Sequence, residues 1–403
     1  MTRAVDVLIA LAGLLAGAPG SAPAASWQPG RVQLPGSQQI STLSGSGRAA
    51  AVDAEGRVHV VKQNHLDEST FEIEYALRQA DGTWGGPTRI SEEANARNAS
   101  LTLDSTGGVH VVWEDITTSL VQVRYRYRDP GGVWSPIETL TAFDDELSTG
   151  PVVAVDTFHR VHIVWVGATA ALPRIRYIRK APGEDWGDPE ALSPEGARPE
   201  APTVVADALG YVHVAWADRV GAITGSGKYN YEIFYQKFGP ENTSPGDPLR
   251  LSDNAAVSRE PFLVATPEGV VHLFWTDTRT APAGTGSAEI FYRRHLPGVG
   301  WSRVKRFTYD GGSHARPVAA AGINNTVNVA WEDYRHGNPE IYYRQITQET
   351  GWDPHPTRLT SDVSPSIRPS LVSTPGGKLV LLWIEAEGSS DFRVFAKDGS
   401  VSD

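Results

Sequence analysis

The chain has 403 residues, among them 40 Gly, 28 Pro and no Cys, and carries a net charge of −11. Without cysteine there are no disulfides, no thiolate nucleophile and no Cys-ligated metal. An acidic body repels phosphate backbones, which argues against a nucleic-acid partner. Length alone would allow two or three domains, but a repeat can make one body of such a chain.

The first segment reads as an export signal: Arg3, then the apolar run 7–18, then small residues at 21–26 with cleavage expected after Ala24. Residues 1–24 are therefore expected to leave a secreted or periplasmic protein with no membrane span, because no later stretch is long and apolar enough. Arg3 and Asp6 cancel, so the mature net charge stays −11.

From residue 49 onward the chain repeats itself. His59, His110, His162, His213, His272, Asn328 and Val380 stand at one register, 51, 52, 51, 59, 56 and 52 residues apart. Three residues later come Lys62 and then Trp113, Trp165, Trp216, Trp275, Trp331 and Trp383. Six residues earlier stand Asp53, Asp104, Asp156 and Asp207, followed by Thr266, Gly322 and Thr374. Each unit reads as four short strands. Strand a resembles PTVVAD (202–207), b is V-H-V-x-W, c is E-I-x-Y, and d opens at a second Trp and closes on Leu-Ser or Leu-Thr.

Four strands every fifty residues predict an all-β, seven-bladed β-propeller with four-stranded antiparallel blades. The blades are expected at about 49–91, 98–141, 148–193, 198–252, 258–308, 314–360 and 366–398, in one domain over 25–403. The last unit lacks strand d, while WQPGRVQLP (27–35) matches WDPHPTRLT (352–360) in register. The N-terminal strand is thus expected to close the last blade and remove its open edge.

The repeated residues read as skeleton. One His per blade cannot converge on a metal ion, so the five His are expected to be buried and hydrogen-bonded between blades, with no metal and no cofactor. Asp115, Asp218, Asp277 and Asp333, with Arg219, Arg279, Arg335 and the Glu that opens strand c, suggest hairpins tied by ion pairs.

The exceptions to the repeat point to a site. The b–c loops and the starts of strand a should surround one mouth of the central channel. Arg198, Arg259, Arg316 and Arg368 sit at those starts with Glu200 and Glu260, and guanidinium forks bind carboxylates or sulfates. The loops 217–231 and 276–288 are long, and the first carries Tyr229 and Tyr231.

The V-H-V-x-W-x-D strand, the E-I-x-Y strand and the Gly-x-x-Trp turns (DPGGVW 129–134, APGEDW 181–186, LPGVGW 296–301) resemble the sialidase-like propellers with bacterial neuraminidase repeats and Asp-boxes. The resemblance covers nearly the whole mature chain, although catalytic members usually have six blades. It implies three Arg holding a substrate carboxylate, a Tyr–Glu pair as nucleophile and an Asp as acid. Arg259, in SREP (258–261), corresponds to the first Arg, with Arg316 and Arg368 as the other two. Tyr229, Tyr231 or Tyr334 would be the nucleophile, with Asp277 or Asp333 as the acid. Three functions stay open: a monomeric binder of an extracellular glycan or protein ligand, an exo-acting glycoside hydrolase of sialidase type, and a structural surface module.

Overall fold

The computed structural model describes residues 25–401 apart from 37–40, 44–45, 68–69, 93–94, 117–119, 142–146, 169–171, 223–228, 241–245, 282–286, 311, 348–350, 353 and 387–391. The expected signal peptide, 1–24, and the tips of both long loops lie outside the described residues. Seven antiparallel sheets form seven blades, each ordered a-b-c-d. Strand b runs Val58–His65, Val109–Asp115, Val161–Ala168, Val212–Ala222, Val271–Asp277, Val327–His336 and Lys378–Ala386 in blades one to seven. The one helical element among the described residues is a 3-10 turn, Ile323–Asn325, and no helix there is long and apolar enough to cross a membrane.

The ring closes as the sequence predicts. Ser26–Trp27 and Val32–Gln33 pair antiparallel with Phe392–Ser400, the strand c of blade seven. Trp27 packs edge-on against Tyr343 of blade six, with centroids 5.1 Å apart. The same contact recurs around the ring: Tyr75–Trp134, Tyr125–Trp186, Tyr235–Trp301 and Tyr292–Trp352. Blade four lacks the second Trp, and there Phe238 stacks on Tyr177. The strand-d Trp is thus the wedge between blades, and edge-to-face aromatic pairs add about 0.5–1.5 kcal/mol beyond area burial.

The repeated His are buried, but their bonds lie within each blade rather than between blades. The strand-c Tyr hydroxyl meets His Nδ1 at 2.7–2.8 Å in His59–Tyr75, His110–Tyr125, His162–Tyr177, His213–Tyr235 and His272–Tyr292. In the first four blades Nε2 meets the turn Asp (Asp53, Asp104, Asp156, Asp207) at 3.0–3.2 Å. The reason is register: His on b and Tyr on c share a face two residues apart, and the a–b turn returns its Asp beneath them. Strand pairing brings all three together before any second blade is needed.

The Leu-Ser and Leu-Thr ends of strand d also have a local cause. Their hydroxyls accept the strand-c amides of Ile73, Val123, Ile175, Ile233, Ile290 and Ile341. In blades four to six Ser252, Thr308 and Thr360 also donate to the opening Glu of strand c, Glu232, Glu289 and Glu340. Those Glu pair with Arg250, Arg306 and Arg358 of strand d, not with the hairpin Arg.

Candidate functional site

The skeleton shapes the channel mouth directly. In blades two to seven strand a bulges opposite the buried Trp of strand b, so that two residues face one. The first bulge residue is left-handed every time: Asn98, Gly150, Ala201, Glu260, Arg316 and Arg368, with φ from +48° to +63°. Gly47 takes the same place in blade one at φ +69°. Five of these residues precede proline (Pro151, Pro202, Pro261, Pro317, Pro369). Held non-glycine residues in this region cost on the order of 1 kcal/mol each and mark over-determined sites. Here carboxylates tie the bulges together across blades. Glu114 accepts the Gly150 amide at 2.6 Å, Glu260 the Arg316 amide at 3.0 Å, and Glu332 the Arg368 amide at 2.7 Å.

The bulges surround a cavity of about 400 Å³ that includes Glu200, Glu260, Arg316 and Arg368 in its wall. A second cavity of about 370 Å³ adjoins it between blades five and six, sharing Glu260 and adding Arg259, His314 and Tyr334. Between them lies a hydrogen-bonded cluster. The Tyr334 hydroxyl donates to Glu332 Oε2 at 2.8 Å, and Arg316 Nη1 reaches both Glu332 oxygens at 2.9 and 3.0 Å. Burial, reinforced by Glu332, pushes the Tyr334 phenol up.

The predicted site residues separate into three sets. Arg259, Arg316 and Arg368 stand at the mouth, as expected for starts of strand a. Arg259 pairs with Glu200 at 2.9 Å and lies over the Tyr231 ring at 3.9 Å. Burial raises the Glu200 carboxyl, with Arg259 opposing and Glu260 and Asp218 adding to it. Tyr229 is exposed on the raised b–c hairpin beneath Arg219. Arg198 lines neither cavity, and its amide is bonded to Asp218.

Asp277 and Asp333 form the third set, which the structure places within the b–c hairpins. Both are fully buried. Asp277 accepts from Ser258, the Trp275 indole and Arg279. Asp333 accepts from the Trp331 indole and Arg335. In blades four to six the acid of Trp-x-Asp thus satisfies the indole N–H of its own strand, two residues away on the same face.

Sequence reasoning missed three features. Glu332 hides in strand b, one residue after the repeated Trp; a carboxylate in so apolar a strand demands a partner, and that was the available signal. Arg48 stands where five blades have proline. Its guanidinium lies under the cavity, stacked on Phe262 at 4.6 Å and donating to Thr203 Oγ1 and the Leu263 carbonyl across the channel. Burial pushes it down to about 10. The third is a group of Glu289, Asp310 and His314 with ligand atoms within 4.8 Å of one another. Carboxylates face both nitrogens of the His314 ring, and Arg335 already pairs with Asp310 and Asp333. Burial alone would lower His314, but Asp310, Asp333 and Glu289 raise it to about 9, which suits a buried imidazolium better than a metal ligand.

Charge at the mouth is unevenly neutralised. Arg316 has Glu332, and Arg259 has Glu200. Among the described residues no carboxylate lies within ion-pair distance of the guanidinium of Arg48 or of Arg368, whose Nη1 donates to the Leu43 carbonyl. Burial and the neighbouring Arg316 lower Arg368, against Glu332.

No protein-family profile matches the chain, and no curated protein matches it. Solved structures do resemble it. A polysaccharide lyase described as an ulvan lyase bound to -[GlcA(1-4)Rha3S]- superposes with a TM-score of 0.64 at 11% identity, covering 90% of this chain and 95% of that one. An α-L-arabinofuranosidase from Fusarium graminearum, in complex with an iminosugar inhibitor, gives 0.53 at 12%, covering 93% and 98%. A fungal alcohol oxidase in complex with copper gives 0.55 at 10%, covering 94% and 76%. At such identities the likeness is one of fold, and this propeller fold carries more than one chemistry.

Proposed function

We propose that the protein is exported and binds an acidic sugar of an extracellular glycan at the channel mouth. The observation that carries this reading is the Arg368 guanidinium, which lines a cavity of sugar size and has no carboxylate within ion-pair distance among the described residues, with the Arg48 guanidinium, likewise without one, held behind the lining residues Thr203 and Phe262. Unpaired desolvated cations are costly, and a ligand carboxylate that meets them relieves that cost. Arg316 and Arg259, being neutralised already, shape the wall and aim Glu332 and Tyr231. The glycan-acting lyase and arabinofuranosidase of like fold support a carbohydrate ligand without specifying it.

A second reading has one specific observation in its favour, the Tyr334–Glu332 hydrogen bond beside Arg316. In a hydrolase of sialidase type Glu332 would take the phenolic proton as Tyr334 attacks the anomeric carbon. Glu200, whose carboxyl burial raises, would protonate the leaving oxygen in place of the buried Asp277 and Asp333.

Titration calorimetry with N-acetylneuraminate, glucuronate and neutral hexoses, beside a fluorogenic sialoside assay, separates the two. Binding of acidic sugars alone, weakened in Arg368→Ala, supports the binder. Turnover that disappears in Tyr334→Phe supports the hydrolase. Neither binding nor turnover, or equal binding of neutral sugars, removes both.

A further inference from the structure

Blade five breaks the His latch described above. Thr266 replaces the turn Asp, while His272 and Tyr292 remain, with the Tyr292 hydroxyl on Nδ1 at 2.8 Å. With the Tyr292 hydroxyl donating to Nδ1, as suits the Asp-faced His of blades one to four, the neutral His272 ring carries its own proton on Nε2. In blades one to four this N–H is answered by a carboxylate 3.0–3.2 Å away. In blade five it faces a cleft of about 280 Å³ on the channel face opposite the mouth, whose lining includes Thr266, Glu268, Val270, His272, Arg294 and Leu296.

Two further observations bear on what belongs in that cleft. Thr266 is 3% exposed, and its Oγ1 has no hydrogen-bond partner, whereas the corresponding Thr374 in blade seven accepts the Lys378 amide at 3.0 Å. The cation has also been kept. Cross-strand from His272 stands Arg294, at the position of Arg179 in blade three and Lys237 in blade four. In those two blades the turn acids Asp156 and Asp207 pair with their His, and Asp207 acts on Lys237 at longer range without an ion-pair contact. No carboxylate lies within ion-pair distance of Arg294 among the described residues. Glu268 is exposed at the rim, where its amide bonds to Asn325 Oδ1 at 3.3 Å. Burial and Arg294 lower His272 to about 3, so the ring stays a neutral donor across the physiological range.

We propose that this cleft binds a small carboxylate anion, which takes the place of the missing Asp between His272 Nε2, the Thr266 hydroxyl and the Arg294 guanidinium. The bound group completes the fifth latch in trans. The site is independent of the channel-mouth ligand and lies on the other face.

The test measures thermal unfolding at pH 7 in sodium acetate against sodium chloride at equal ionic strength, with ¹⁵N-histidine spectra recorded in parallel. Wild type should show a saturating rise in Tm of about 2 °C or more, specific to acetate, and a shift of the His272 Nε2–H resonance. Thr266→Asp should begin at a higher Tm and lose the acetate-specific rise, because its own carboxylate fills the place. Arg294→Gln should bind acetate roughly tenfold more weakly. If acetate leaves wild type as chloride does, or raises Thr266→Asp equally, the proposal fails. Should Thr266→Asp misfold, the resonance shift in wild type and its loss in Arg294→Gln decide the matter alone.

Discussion

The two ends of the central channel are built by the same seven blades and behave differently. At the lower end the a–b turns border the larger cavity, about 560 Å³, with Asp53, Asp104, Asp156 and Asp207 around it. Every one of those carboxylates is spent on its own turn amides and its own His. At the upper end the cavity is smaller, about 400 Å³, but one register position is filled by Gly47, Asn98, Gly150, Ala201, Glu260, Arg316 and Arg368. Variety at a geometrically fixed position is what sets the mouth apart from the lower end and what the proposed ligand site rests on. In blades one to four the turn Asp, the His and the Tyr of each latch satisfy one another.

Changes to the skeleton should therefore cost stability and spare binding, while changes at the mouth should do the reverse. The largest expected effect comes from deleting residues 25–35. This removes both closing strands, the Trp27–Tyr343 wedge and the buried Leu34. Tm should fall by about 10 °C or more, or the protein should aggregate through its exposed edge. A ring that keeps its Tm in calorimetry would refute the closure.

Next comes pH. The folded pKa of His314, about 9, lies above its ordinary value near 6.5, so its stabilisation is complete below about 6.5 and is lost as pH rises through about 9. Between pH 6 and pH 10 unfolding free energy should drop by about 3 kcal/mol from this group, and His314→Gln should flatten that slope in denaturant titrations. An unchanged slope would show that Arg335 alone holds Asp310 and Asp333.

Arg368→Ala is the opposite kind of change. Ligand affinity should fall about tenfold to a hundredfold by calorimetry, with Tm nearly unchanged, because the half-buried Arg368 guanidinium has no carboxylate within ion-pair distance among the described residues. A large loss of Tm with intact binding would reverse the contrast between the two channel ends. The smallest effect is expected for Tyr177→Phe, which leaves His162 Nδ1 without its donor. It should cost about 1 kcal/mol in chemical denaturation and leave ligand binding alone.

Much of the candidate site was legible at the level of place and little of it at the level of partners. Arg259, Arg316 and Arg368 could be located because each precedes a strand a whose register the repeat fixes. Asp277 and Asp333 looked equally available, since a sequence does not show that the Trp indole two residues earlier and the following Arg both close on them. Glu332 was concealed by its apolar neighbours. It gained significance only when Arg316, Tyr334 and the Arg368 amide, the last from another blade, converged on it.

The sequence by itself determined the number of blades, the four strands of each and the closing of the ring. Those follow from strand periodicity and a fifty-residue period, which are local and repeated. Only the tertiary structure decided which charges are neutralised. That depends on distances across the channel and between neighbouring blades, where residues as far apart as Arg48 and Leu263 meet, and no spacing along the chain encodes such a distance.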